Sequence, residues 1–175
     1  MSMHIKFLVD SMLGSLARWL RLLGYDTIYA KNWPDGRILK VAEKEDRILV
    51  TRDKGLYRRA LRKGIRAVLV SSEVVESLAI LSYSIGIDLR IDHNKTRCPL
   101  CNNPLRSISK HLVRNRVPHI VYESYNEFWE CRVCGQVYWV GGHWRGISES
   151  LEEARKLVEE YRRRSEIEGL STTKS

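Results

Sequence analysis

Residues 5–30 read IKFLVDSMLGSLARWLRLLGYDTIYA, and this stretch decides the fold. It opens with a mostly apolar run that ends in Asp10, a pattern typical of a buried strand followed by a polar turn. Leucines at helical spacing then run to Gly24, a residue type common just after a helix. The final TIYA predicts a second strand. A strand, a helix and a strand in this order predict two parallel strands in one sheet.

The same alternation continues along the chain. Strands are predicted at 47–51 and 67–70, and helices at 35–42, 56–64 and 73–81. The fold class is therefore α/β, with a parallel sheet flanked by helices. A cysteine-rich module follows a polar linker, and a helix is predicted over 148–164 with a frayed tail from 165 onward. The predicted organisation is three parts, at 1–90, 91–146 and 147–175.

Two cysteine pairs carry the clearest chemical signal. Cys98 and Cys101 form one Cys-x-x-Cys pair, and Cys131 and Cys134 form the other. Two such turns can place four thiolates around one tetrahedral zinc ion, and a closed set of four indicates a structural site. The 29 residues between the pairs exceed the usual 15–20, so extra structure is predicted there. Free or redox-active cysteines are the alternative.

Four acids lie at predicted element boundaries. Asp10 and Asp53 follow the first and third strands, while Asp35 and Glu73 begin the helices after the second and fourth. Ligands bind at the carboxyl edge of open α/β sheets, so these acids are candidates for one site. Carboxylate oxygens suit Mg²⁺ or Mn²⁺, which can activate water for attack on a phosphate. The alternative is that Asp35 and Glu73 cap helices and Asp53 starts a turn.

Positive charge is concentrated in one segment. The formal net charge is +9, and seven basic residues against one acid lie between residues 52 and 66. Such a cluster attracts polyanions, of which nucleic acid is the commonest in the cytoplasm, but it also suits a solvated helix face. The arginines proposed as phosphate contacts are Arg18, Arg52, Arg58, Arg59 and Arg62.

Several classes of protein are disfavoured. The sequence contains neither a phosphate-binding P-loop motif nor a Gly-x-Gly-x-x-Gly motif after the first strand, which argues against P-loop and dinucleotide-binding proteins. No run approaches the roughly 18 apolar residues of a membrane span. The start of the chain lacks a signal-peptide pattern, so a cytoplasmic location and no membrane partner are expected.

Seven short motifs occur along the chain: FLVDSMLG at 7–14, LARWLRLLGYD at 16–26, ILVTRD at 48–53, CPLC at 98–101, FWECRVCG at 128–135, YW at 138–139 and GHW at 142–144. Together these motifs resemble those of the Mut-seven C-terminal RNase family. The resemblance implies a PIN-like nuclease domain fused to a zinc ribbon. It further implies that Asp10, Asp35 and Asp53 hold the catalytic metal. PIN domains usually have Glu where Asp35 stands, and Glu73 is the best-placed fourth acid.

The resulting hypothesis is a metal-dependent endoribonuclease whose zinc ribbon helps to position RNA. In the ribbon, Arg145 is a candidate RNA contact, and the aromatic residues 129, 138, 139 and 144 either stack on bases or pack a small core. His93 and His143 flank the module as ordinary polar residues or RNA contacts. One alternative is a non-catalytic adaptor that binds RNA or a ribonucleoprotein, and another is a toxin nuclease. The sequence does not predict an oligomeric state.

Overall fold

A computed structural model describes residues 5–172, with side chains through residue 168. Residues 1–4 of the first predicted part and residues 173–175 of the last lie outside the described residues. The first unit alternates strands and helices, as predicted. After β1 a short 3-10 helix covers Ser11–Leu13. The elements are β1 (Lys6–Asp10), α1 (Gly14–Leu22), β2 (Asp26–Ala30), α2 (Asp35–Lys44), β3 (Ile48–Thr51), α3 (Lys54–Arg62), β4 (Ala67–Leu69) and α4 (Val74–Ile85).

The four strands form one parallel sheet in the order β2-β1-β3-β4. Phe7 of β1 lies opposite Thr27 of β2 and Ile48 of β3, which sets the register at the centre of the sheet. The apolar runs of β1 and β3 are buried because helices cover both faces. One face packs against α1 and α4, and the other against α2 and α3. The predicted α/β class is confirmed.

The turn between α1 and β2 requires a glycine. Gly24 has a φ of +92°, and a Cβ atom there would lie 3.0 Å from the backbone oxygen of Lys95. Both the left-handed backbone and the close approach disfavour a larger residue at this position. The segment before the cysteine module, predicted to be a polar linker, therefore lies directly against this turn.

The cysteine module contains a second, antiparallel sheet. Its strands are β5 (Arg106–Ile108), β6 (Phe128–Glu130) and β7 (Val137–Tyr138), in the order β5-β6-β7. A 3-10 helix (Lys110–Val113) and α5 (His119–Ser124) fill the long interval between the cysteine pairs. Val113 and Phe128 of this interval pack with Val137 of β7 to form a buried apolar centre. The predicted extra structure is thus confirmed.

The last helix, α6 (Trp144–Thr172), is longer than predicted at both ends. It begins before residue 148, and the predicted frayed tail is helical through Thr172. Leu151, Ala154 and Val158 are buried in the same core as α1 and α4, because their helical spacing places them on one face. Among the helices described, none has the length and apolar character that crossing a bilayer demands.

The packing of α6 gives a test of this core. Replacing Leu151 with alanine should lower the free energy of unfolding by about 2–5 kcal/mol, because a fully packed side chain leaves a cavity. Ile167 on the same helix is 67% exposed, so Ile167→Ala is the matched control and should change stability little. Urea unfolding of both variants measures the difference. Equal effects would show that α6 is not part of the core.

Candidate active site and metal centre

The four cysteine sulfurs form a compact cluster. All four lie within 4.8 Å of one another. Cys98 Sγ is 3.6 Å from Cys134 Sγ, and Cys101 Sγ is 3.3 Å from Cys131 Sγ. Zinc–sulfur bonds of about 2.3 Å require sulfurs about 3.8 Å apart in a tetrahedron, so this donor set fits zinc.

Two similar turns present these sulfurs. The amide of Asn102 donates to Cys98 O at 2.9 Å, and the amide of Gly135 donates to Cys131 O at 2.8 Å. Asn102 and Gly135 both have a left-handed backbone, with φ of +68° and +75°. Each Cys-x-x-Cys pair therefore closes with a residue type that tolerates this conformation. We call the turn at 98–102 the first knuckle.

The thiols perturb one another. Burial opposes ionisation of Cys101, but hydrogen bonds from Asn103 and contacts with neighbouring thiols outweigh it and lower the pKa of Cys101 to about 6. For Cys134 the backbone amide of Gln136 favours the thiolate, yet burial and the other thiols prevail and raise its pKa to about 12. Four such thiols ionise together only beside a cation.

The first knuckle is fastened to the edge strand of the parallel sheet. Arg21 is buried, and its guanidinium donates to Thr27 O at 3.0 Å and to Pro99 O at 2.7 Å. Asn102 accepts from the amide of Thr27 at 2.9 Å and donates to Asp26 at 2.7 Å. Sequence reasoning missed Arg21 and Asn102, since their partners lie far along the chain.

Asp26 is the charged centre of this junction. Arg47 donates to its carboxylate at 2.9 Å. Burial opposes ionisation of Asp26, but the hydrogen bonds from Arg47 and Asn102 prevail and lower its pKa. Asp26 therefore stays ionised and anchors both the sheet and the knuckle.

Asp10 and Asp53 are connected at the carboxyl edge of the sheet. Asp10 is 4% exposed; one carboxylate oxygen accepts from the amide of Met12 at 2.9 Å, and the other accepts from the Thr51 hydroxyl. The Thr51 oxygen in turn accepts from the amide of Asp53 at 2.9 Å. The Asp53 carboxylate caps α3 by accepting from Leu56. Thr51, absent from the sequence-based candidates, thus joins two of the four acids.

Asp35 and Glu73 are held elsewhere. Asp35 is the first residue of α2, after Pro34 at the capping position, and forms an ion pair with Arg59 of α3. Glu73 occupies the capping position of α4 without a capping side-chain hydrogen bond. Within the side chains at 5–168, the cysteines form the one group of three or more metal-ligand residues whose donor atoms all lie within 4.8 Å. The acids are not gathered in this way.

A cavity of about 500 Å³ is lined by Ser11 and Met12, which follow Asp10 in the chain, and we call it the edge cavity. Its walls come from the start of α1, the end of β2, the start of α4 and the first knuckle. They include Arg18, Lys31, Ser72 and Leu100. Arg18, a predicted phosphate contact, therefore lines this cavity, whereas none of the four candidate acids does.

The other predicted RNA contacts lie on the surface. Arg52, Arg58 and Arg62 are exposed at or near α3. Arg59 is paired with Asp35, and Arg145 lies 4.0 Å from Glu149 on α6. The exposed arginines of α3 and the edge cavity offer positive charge at two separate places.

A family model described as the Mut7-C RNAse domain matches residues 5–151. The chain belongs to this family. No curated protein and no solved structure matches the chain. The Mut7-C match spans the parallel sheet, both cysteine pairs and the start of α6, so it includes both candidate sites.

Zinc binding has a direct test. Purified Mut7-C chain should contain about one zinc ion, as four thiolates require, and Cys131→Ser should lose most of it. Val133 lies between Cys131 and Cys134 and is 69% exposed. Val133→Ala is therefore the matched control and should keep its zinc. Elemental analysis measures the metal. A metal-free wild type with oxidised cysteines would contradict the prediction.

Proposed function

We propose that this protein is a metal-dependent endoribonuclease that hydrolyses RNA phosphodiester bonds, with a structural zinc ribbon that assists RNA binding. The observation that carries the proposal is the buried Asp10, which is linked through Thr51 to Asp53 and is followed by residues that line a cavity with Arg18 and Lys31. Membership of an RNAse family supports the same reaction class. We further propose that the nuclease unit is PIN-like and acts in the cytoplasm.

Zinc would have a structural role. Four cysteines leave no open coordination position for a substrate or water. The first knuckle is fastened to β2 and forms one wall of the edge cavity. Zinc would therefore hold that wall in place without taking part in the chemistry.

The carboxylate oxygens of the four acids are donor atoms of the kind that a hard divalent cation binds. Asp10 and Asp53 would hold Mg²⁺ or Mn²⁺, and Asp35 would join them on release from Arg59, with Glu73 as the fourth candidate. When bound, such a cation supplies an activated water and stabilises charge at the phosphate. Thr51 orients the Asp10 carboxylate, while Arg18 and Lys31 hold RNA phosphates in the edge cavity.

The adaptor remains the second candidate function, and one observation favours it. Asp35 is neutralised by Arg59, and the four acids are not gathered into one group of donors. An adaptor would bind RNA or a ribonucleoprotein through the basic surface and the ribbon, and it would not cut. Cleavage assays separate the two functions.

Changing Asp10 tests the catalytic assignment. Asp10→Asn should reduce Mn²⁺-dependent RNA cleavage by roughly 100-fold or more, because a principal metal ligand is lost. RNA binding should persist or strengthen, since a negative charge near the phosphates is removed. Cleavage and binding of labelled RNA, with Mn²⁺ and with a chelator, measure the two effects.

The control for this test is Asp46→Asn. Asp46 precedes β3, so it lies at the amino ends of the strands, away from Asp10 at their carboxyl ends. Its side chain is 88% exposed, so the variant should cleave like wild type. Undiminished cleavage by Asp10→Asn would remove this carboxylate from the mechanism. A wild type that binds RNA but cuts none with any divalent ion would support the adaptor.

The basic surface of α3 gives a separate prediction. The double variant Arg58→Gln, Arg62→Gln should bind all single-stranded RNAs more weakly, and the slope of log affinity against log salt should fall by about 1.4 in magnitude. The matched control is Arg163→Gln, Arg164→Gln on the exposed part of α6. Binding titrations at several salt concentrations measure the slopes. An unchanged slope in the α3 variant would make that surface a solvated helix face.

A further inference from the structure

A second cavity lies between the ribbon and the start of α6, and we call it the aromatic cavity. Its volume is about 220 Å³. Six rings contribute to its walls: His93, Trp129, Tyr138, Trp139, His143 and Trp144. They come from the segment before the cysteines, from β6 and β7, and from the loop that leads into α6.

His93 contacts two indole rings. Its ring stacks on Trp129 at a centroid distance of 4.8 Å and an interplanar angle of 25°. The ring of Trp144 is tilted against it, at a centroid distance of 5.0 Å and an angle of 34°. These separations are typical of favourable aromatic contacts. The three rings therefore form an aromatic cluster that borders the cavity.

The aromatic residues could either bind a base or only pack a small core, and the empty space beside the rings favours base binding. Protein interiors are close-packed and leave few voids larger than a water molecule, which occupies about 30 Å³ in the liquid. A cavity of about 220 Å³ is several times larger. The indoles of Trp129 and Trp144 are also only partly buried. The rings thus border an open slot and do not fill it.

A polar recess adjoins this slot. It shares His93, Leu105 and Trp129 with the aromatic cavity and adds Asn94, Arg106, Ser107 and Arg132 to its walls. Its two arginines are Arg106 and Arg132, of which Arg132 lies 3.7 Å from Glu130. Arginine side chains favour an anion and disfavour the cationic guests that aromatic cages also bind. A flat apolar slot beside a basic recess matches the two ends of a nucleotide, its base and its phosphate.

We propose that the aromatic cavity and its polar recess bind one unpaired nucleotide of single-stranded RNA. The base stacks against the rings, and its phosphate lies near Arg106 and Arg132. Pro99 borders both this cavity and the edge cavity, so one RNA strand can pass across the first knuckle from the edge cavity to the aromatic cavity. The proposal rests on RNA being the substrate, and it restricts that substrate to strands with an unpaired base near the cut.

The test measures binding of the full chain to a short labelled uridine oligonucleotide and to the same strand in a duplex. Wild type should prefer the single strand. His93→Ala should weaken single-strand binding by roughly 5- to 100-fold, the range for one stacked base. His93→Phe retains a ring and should recover most of the affinity. Zinc content and melting temperature confirm that each variant is folded.

A second variant tests the polar recess and leaves the aromatic rings unchanged. Arg106→Gln, Arg132→Gln changes two exposed side chains and should also weaken single-strand binding. Two changes elsewhere in the ribbon are matched controls and should bind like wild type: Arg114→Gln, and Ile120→Ala at a side chain that is 74% exposed.

The outcomes separate this proposal from the proposed function. If wild type binds and cuts RNA but the cavity variants bind like wild type, the nucleotide site is wrong and the nuclease stands. Equal affinity for duplex and single strand would also overturn the site. If wild type neither binds nor cuts RNA, the proposed function fails, and the nucleotide site fails with it.

Discussion

The buried guanidinium of Arg21 joins two parts of the chain that have separate sheets. It donates to the backbone of β2 on one side and to the backbone of the first knuckle on the other. A buried charge is tolerated only where hydrogen bonds satisfy it, so its position fixes both backbones at once. The wall that the first knuckle contributes to the edge cavity depends on that fixed relation.

Local patterns in the sequence predicted most of the fold. The apolar run at 5–10, the helical spacing up to Gly24 and the paired cysteines each depend on neighbouring residues, and each element formed where it was expected. The length of α6 was underestimated because its apolar stripe ends near Tyr161. Around that point, ion pairs between neighbouring turns, such as Arg162 with Glu159, help to stabilise an exposed helix.

The candidate sites were harder to predict, since their geometry depends on residues far apart in sequence. Asp10 and Asp53 adjoin because β1 and β3 are neighbours, which strand patterns alone do not specify. Arg59 pairs with Asp35 across two helices, a contact that no local motif indicates. The roles of Asn102 and Thr51 likewise depend on tertiary contacts. Sequence therefore identified the chemical groups, while the fold decided which of them meet.

The hydrogen bond from Thr27 to Asn102 has a consequence for the behaviour of the chain without metal. β2 is an edge strand, and its outward amide is already occupied by the knuckle. An uncovered edge is a template for pairing with another molecule. Loss of zinc would loosen the knuckle and expose this edge, so metal-depleted protein should associate with itself. By this argument the cysteine site would protect solubility as well as shape.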